Sequence, residues 1–175
     1  SLFAFQKAKI TPDLISISKG LTGGFLPMGI TLCKEKIFQS FIDESPTKTF
    51  WHGHSFTANP LGCAAANASL DLLENEPEKY FSLEEKHLSH LNKFRKSSKI
   101  KKIRVTGTIA AFDLEIGTQG GYFNNIGKEI KSLAIEKGLF IRPLGNVIYL
   151  LPPLCITDDQ LEKSYWVIRQ ILEDL

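Results

Sequence analysis

Lys19 stands where an amine could do chemistry. It closes a short β-prone run, Leu14-Ile15-Ser16-Ile17-Ser18, and is followed at once by Gly20-Leu21-Thr22-Gly23-Gly24. Glycines at this density let the backbone turn tightly and admit a flat ligand close to it. An amine in partly dry surroundings loses its proton more readily, because burial disfavours the charged form. Such an amine attacks the carbonyl carbon of an aldehyde or ketone and forms a Schiff base. The plainer reading is a lysine that ends a strand and points into water.

Arg142 offers a second chemistry. Its guanidinium is a planar, two-pronged donor that matches a carboxylate and stays charged at any useful pH. Pro143 fixes the chain just after it; the plainer reading is a surface salt bridge. Ser55 lies just before an expected helix start, a position that favours anions, so its hydroxyl suits a phosphate or a local turn. Gly53 beside it permits close approach of a ligand to the backbone. His52 and His54 would share one side of a strand, but no third ligand lies nearby and zinc normally takes at least three from the protein. His87 and His90 are expected at a surface or boundary. Phe25, Trp51, Phe56 and Tyr149 are expected in a core more than against a ligand.

The elements that must position these residues follow from pattern. Strands are expected at 14–18 and 29–33, with a helix near 34–42. Asn59 as N-cap and Pro60 at the first helical position predict a helix to about Leu73. Asn75-Glu76-Pro77 breaks it and marks a candidate domain boundary. Beyond it, a helix is expected over about 78–97, strands near 100–106 and 109–116, and a helix over about 124–137 stopped by Gly138. Strands at 139–142 and 146–151 should flank Pro143-Leu144-Gly145-Asn146. Thr157-x-x-Gln160 reads as a capping box opening a last helix, with Leu161, Tyr165, Ile168, Leu172 and Leu175 as its apolar stripe. A small sheet covered by helices on one side satisfies these faces.

Composition narrows the classes. A net charge of +2 gives no case for a nucleic-acid groove. The basic stretch from Lys93 to Arg104 flanks a helix end, where cations suit the dipole, and reads as solvated. Cys33, Cys63 and Cys155 are odd in number and widely spaced, so neither a disulfide framework nor a metal site is indicated and a reducing cytoplasm fits. No apolar run reaches the roughly 18 residues of a membrane span, and the first residues lack the features of a signal peptide.

Read together, three blocks carry a resemblance. Thr11 to Gly24, followed by Pro27-Met28-Gly29, resembles the cofactor-lysine segment of class III (subgroup II) aminotransferases, pyridoxal-phosphate enzymes of fold type I. His52-Gly53-His54-Ser55-Phe56-Thr57-Ala58-Asn59-Pro60 is similar to that family's HG-x-[ST]-[FY]-x-x-NP segment. Gly138 to Pro153 is similar to its C-terminal substrate-carboxylate segment. The blocks span essentially the whole chain.

The resemblance implies an α/β fold: residues 1–75 as the C-terminal part of the large pyridoxal-phosphate-binding domain, and 76–175 as a small C-terminal α+β domain. It implies that Lys19 carries pyridoxal 5′-phosphate, that Ser55 reaches the cofactor phosphate of a partner subunit, that Gly53 borders the substrate and that Arg142 grips its carboxylate. A cytoplasmic homodimer acting on small molecules, with no nucleic acid or membrane partner, goes with it. Ala64 to Leu70 and Ile141 to Pro153 point to the branch that transfers an amino group from S-adenosylmethionine to 8-amino-7-oxononanoate in biotin synthesis. Ser55 stands where the family often has threonine, and Leu144 where this branch can carry an aromatic residue. A donor such as ornithine or 4-aminobutyrate is the alternative, and a non-enzymatic dimerisation module or inert piece is another. The family's aromatic sandwich, pyridine-nitrogen acid and main phosphate cup match positions before Ser1. The expectation is therefore a C-terminal portion that is inactive by itself.

Overall fold

A computed structural model of the chain describes residues 2–115 and 124–175. Packing divides the chain into two units, Ser1–Pro77 and Glu78–Leu175.

The first unit holds α1 (Ala4–Lys7), β1 (Leu14–Ser18), β2 (Gly29–Cys33), α2 (Glu35–Gln39) and α3 (Pro60–Asn75). β1 pairs antiparallel with β2 from Leu14↔Cys33 to Ser18↔Gly29. Ile15 and Ile17 are half-buried while Leu14, Ser16 and Ser18 are exposed, the period-2 alternation of a strand with one covered face. A short 3₁₀ turn, Lys19–Thr22, follows β1. Gly23 (φ 62°) and Gly24 (φ 80°) then take left-handed conformations that glycine alone adopts without penalty. α2 stops short of its expected end: the Ser40 hydroxyl turns back onto the Ile37 carbonyl (2.6 Å), which competes with further helix. α3 starts as the sequence predicts. Asn59 Oδ1 accepts from the amides of Leu61 (3.0 Å) and Gly62 (3.1 Å), with Pro60 at the first helical position.

Buried apolar side chains in this unit are few, Leu21 and Ala66 among the described residues. Phe25, Trp51 and Phe56 are 82%, 81% and 75% exposed, contrary to the expectation of core positions. Two strands and one long helix supply no second layer to cover them.

The second unit contains α4 (Pro77–Asn92), β3 (Ile100–Thr106), β4 (Ile109–Leu114), α5 (Ile126–Glu136), β5 (Val147–Leu150) and α6 (Asp158–Asp174). Its sheet has the order β3-β4-β5 and is antiparallel throughout. Ala110, Phe112 and Leu114 put one face of β4 into a core shared with Leu83 and Leu91 of α4, Ile130 of α5, and Leu161 and Ile171 of α6. Asp113 lies on the other face. There a bulge in β3 between Lys101 and Arg104, with Lys102 at φ 50°, brings Arg104 to 2.8 Å and Lys102 to 3.5 Å from its carboxylate. Part of the basic stretch is thus pinned: Lys99 also donates to the Leu172 carbonyl at the end of α6 (2.6 Å).

Residues 139–142 form no strand, contrary to expectation. The Leu139 amide instead donates to Ala134 O (2.8 Å) and the Gly138 amide to Ile135 O (2.9 Å), closing the C-terminus of α5 with Gly138 at φ 79°. Pro143 has no N–H to offer a ladder. α4 ends at Asn92, short of the expected 97, in a run of turns. Ile116, the last residue of the expected second strand, and Ser1 lie outside the described residues.

His87 is a further correction. It is fully buried, not at a surface or boundary. Its Nε2–H donates to the Thr108 carbonyl (3.2 Å), so Nδ1 accepts the Tyr165 hydroxyl hydrogen (2.7 Å). Among the described residues no helix is long and apolar enough to cross a membrane, and the three cysteines are unpaired.

Candidate functional site

Lys19 opens the 3₁₀ turn directly after β1, with φ at 52°. Left-handed backbone costs a residue with a Cβ about 1–2 kcal/mol. It persists where surrounding structure over-determines it, as at functional sites. The surroundings here do so. β1 is laddered to β2 along its length, Leu21 and Thr22 are buried, and the Thr22 hydroxyl donates to the Leu26 carbonyl. Ser69 of α3 donates to the Gly20 carbonyl (3.4 Å). The side chain of Lys19 is exposed rather than partly dry, and it makes no ion pair or hydrogen bond among the described residues. Asp13 pairs with Lys34 (2.7 Å), across the end of the β1–β2 ladder and away from the Lys19 turn.

Ser55 sits in a turn leading into α3. Its neighbours hold that turn. The His54 amide donates to Thr57 Oγ1 (3.1 Å), the Thr57 amide to the His54 carbonyl (3.0 Å), and the Phe56 amide to His54 Nδ1 (3.1 Å). Ala58 follows at φ 54°. The Ser55 hydroxyl itself has no partner among the described residues and lies exposed in the turn before α3. Gly53 is exposed, and a Cβ there would meet nothing closer than Thr57 Oγ1 at 4.0 Å, so the approach to its backbone is open.

An open hollow of about 940 Å³ lies beside this turn, with Leu26, Met28, Gly29, His52, His54, Phe56 and Asn59 among its walls. α3 comes close to that wall: a Cβ on Gly62 would lie 3.2 Å from Met28 Sδ. Lys19, Gly53 and Ser55 do not line the hollow.

Arg142 belongs to the second unit. It is exposed, without an ion pair among the described residues, and borders hollows of about 480 and 390 Å³. The turn after it is closed by Leu144 and Val147, amide to carbonyl in both directions (2.9 and 3.0 Å), with Gly145 at φ 61°. The N-terminal turn of α5 presses against it: a Cβ on Gly127 would lie 2.5 Å from the Gly145 carbonyl. Lys128 and Lys131 share the larger hollow, so the surroundings of Arg142 are cationic. Leu144 is one of its walls.

Sequence reasoning passed over His54 and Thr57 as the groups that shape the Ser55 turn. A signal existed, since a polar side chain one residue before a serine and a hydroxyl two after it are placed for local backbone bonds. It also passed over the His87–Tyr165 pair, reading Tyr165 only as part of the apolar stripe of the last helix.

The chemistry available is a free amine just after a strand end, a free hydroxyl in the turn before α3, and a guanidinium on a closed turn. The sequence model described as Aminotransferase class-III matches residues 1–172. An adenosylmethionine-8-amino-7-oxononanoate aminotransferase of Synechococcus elongatus is 50% identical over 173 residues, covering 99% of this chain and 41% of that protein. The protein of the same name in Geobacter sulfurreducens is 38% identical, over 93% of this chain and 37% of its own length. The crystal structure of the Methanocaldococcus jannaschii aminotransferase of that name matches with a TM-score of 0.81 at 31% identity, over 95% of this chain and 40% of that one. A Bacillus anthracis aminotransferase has the same fold, with a TM-score of 0.88 at 24% identity over 98% of this chain and 41% of that one. The chain spans about two fifths of the length of the curated relatives it matches. With its sequence matched almost end to end and its backbone superposable on solved members, this chain belongs to the class III aminotransferase family.

Proposed function

We propose that the chain is part of a pyridoxal-phosphate-dependent enzyme that transfers an amino group from S-adenosylmethionine to 8-amino-7-oxononanoate, giving 7,8-diaminononanoate for biotin synthesis. The observation that carries this reading is the 50% identity, along 99% of the chain, to a relative of that name. Residues 1–75 form the C-terminal part of its large domain and 76–175 its small domain. The working form is a cytoplasmic homodimer.

The residues present fit the cofactor. Lys19 offers an unpaired ε-amine, and Ser55 an unpaired, exposed hydroxyl in the turn before α3. Pyridoxal 5′-phosphate supplies an aldehyde for linkage to amines and a ring that draws off the electron pair left on a deprotonated carbon. The left-handed backbone at Lys19, directly after the β1–β2 ladder, fixes where its side chain leaves the chain, and the same amine serves as tether and proton carrier. Nζ takes the proton from the carbon losing its amino group and returns one to the carbon gaining it. Ser55 donates to a phosphate oxygen of the partner subunit's cofactor. Gly53 leaves the substrate room to approach the backbone, and Arg142 binds the carboxylate of the keto acid through its two-pronged guanidinium. Alternation of donor and acceptor at one site gives ping-pong kinetics.

The test is Lys19→Ala in the enzyme containing this chain. Loss of the visible absorbance of lysine-bound cofactor together with turnover is expected; normal turnover rejects the assignment. S-adenosylmethionine assayed against ornithine and 4-aminobutyrate as donors separates this branch from other ω-aminotransferases.

The exposure of Phe25, Trp51 and Phe56 favours a second reading for the polypeptide taken alone. With so little buried around the lysine turn, the isolated chain binds the cofactor weakly and does not turn over. Tight stoichiometric binding in a titration of the chain with pyridoxal 5′-phosphate would contradict this.

A further inference from the structure

Two side chains bond the backbone across Ser55, the Thr57 hydroxyl and the His54 ring, and only the ring can change its protonation. The Phe56 amide, two residues on, donates to Nδ1 at 3.1 Å. A backbone amide only donates, so Nδ1 must carry a lone pair and the ring hydrogen must sit on Nε2. An imidazolium has hydrogens on both nitrogens and cannot make this bond. The other two bonds of the turn, between His54 and Thr57, use backbone groups of His54 and the Thr57 hydroxyl and do not depend on the ring.

We propose that His54 is a positioning residue for Ser55: the neutral imidazole latches the turn that aims the Ser55 hydroxyl at an anionic phosphate, and protonation of the ring releases it. This rests on the reading of Ser55 as a phosphate contact.

The surroundings leave the latch to the ring itself. The hollow that His54 faces is walled by loop 26–28, the start of β2, the 50–59 segment and the first turn of α3, and these walls carry no charged side chain. His52 is the other titratable group there; its ring lies against Phe50, 5.6 Å between centroids, with no hydrogen bond to the turn. Ala58 at φ 54° adds strain just after the turn, so the loss of one bond is felt locally.

Asparagine is the discriminating substitution. Its Oδ1 occupies nearly the place of Nδ1 and accepts readily from the amide two residues on, but it does not titrate. The experiment compares the ¹⁵N-labelled enzyme containing this chain with its His54→Asn and His54→Ala variants by NMR, across pH and with inorganic phosphate as probe. In the native chain the Phe56 amide shift follows pH with the midpoint of the His54 ring proton. In H54N that titration is lost and the amide stays protected. In H54A the amide exchanges roughly tenfold faster than in the native chain at neutral pH, the loss of one hydrogen bond, and the two rates converge in acid. Phosphate at neutral pH moves the Ser55 amide in the native chain and in H54N, with roughly tenfold weaker affinity in H54A. A Phe56 amide indifferent to H54A, or an equal phosphate response in all three chains, overturns the latch. Silence of Ser55 towards phosphate in all three, with Phe56 still following His54, overturns the phosphate role of Ser55 instead.

Discussion

His87 Nδ1 and Tyr165 Oη meet 2.7 Å apart inside the second unit, joining α4 to α6. His87 also reaches the Thr108 carbonyl at the β3–β4 turn (3.2 Å), so one imidazole ties two helices to the sheet. His90 stacks on the same tyrosine, ring centroids 4.5 Å apart and planes 7° from parallel.

This joint makes the unit sensitive to acid. Burial lowers the His87 pKa, with the Thr108 carbonyl opposing and His90 adding a little; burial also lowers that of His90. The unfolded chain therefore takes up protons at higher pH than the folded one. Stability is complete above the ordinary histidine value of about 6.5 and falls as pH drops below it. Thermal unfolding followed across that range should show the melting temperature declining on acidification. In His87→Phe the decline should be shallower.

Tyr165→Phe removes the hydroxyl and leaves Nδ1 of a fully buried histidine without a partner. An orphaned buried acceptor costs about 1–3 kcal/mol. Urea unfolding should show that loss, with His87 titrating differently by NMR.

Gly127→Ala places a methyl 2.5 Å from the Gly145 carbonyl and 3.2 Å from Pro143 Cβ. Backbone must move, at about 1–3 kcal/mol for overpacking, and the turn carrying Arg142 moves with it. In the active enzyme the KM for the keto acid should rise about tenfold, as expected for a misplaced bidentate contact, while kcat changes less. Steady-state kinetics with the acceptor varied checks it.

Ala58→Gly relieves a left-handed residue at the entry to α3, φ 54°. The gain is up to about 1 kcal/mol, because glycine also has more freedom to lose on folding. A raised urea midpoint with an unchanged slope is the expected result.

Local signals were legible wherever a few neighbouring residues decide the geometry. Asn59-Pro60 and Thr157-x-x-Gln160 started helices as expected, and Gly138 stopped one. β1 and β2 followed from their composition and alternation. Lys19, Ser55 and Arg142 were singled out by type and motif, and the structure adds that none is engaged elsewhere among the described residues. What failed depended on partners far along the chain. The run 139–142 has strand-like residues, but its first amide closes α5 and Pro143 cannot join a ladder. His87 looked polar by type, yet Tyr165, 78 residues away, and Thr108 satisfy it in the core.

By itself the sequence determined the family, the order of most elements, and the amine, hydroxyl and guanidinium that could carry the chemistry. These rest on side-chain type and on spacings shorter than a helix. Tertiary structure alone decided that Lys19 is held at φ 52° and that Gly127 braces the turn of Arg142. A backbone angle or a close approach is set by everything packed around it, and no window of sequence contains all of those atoms.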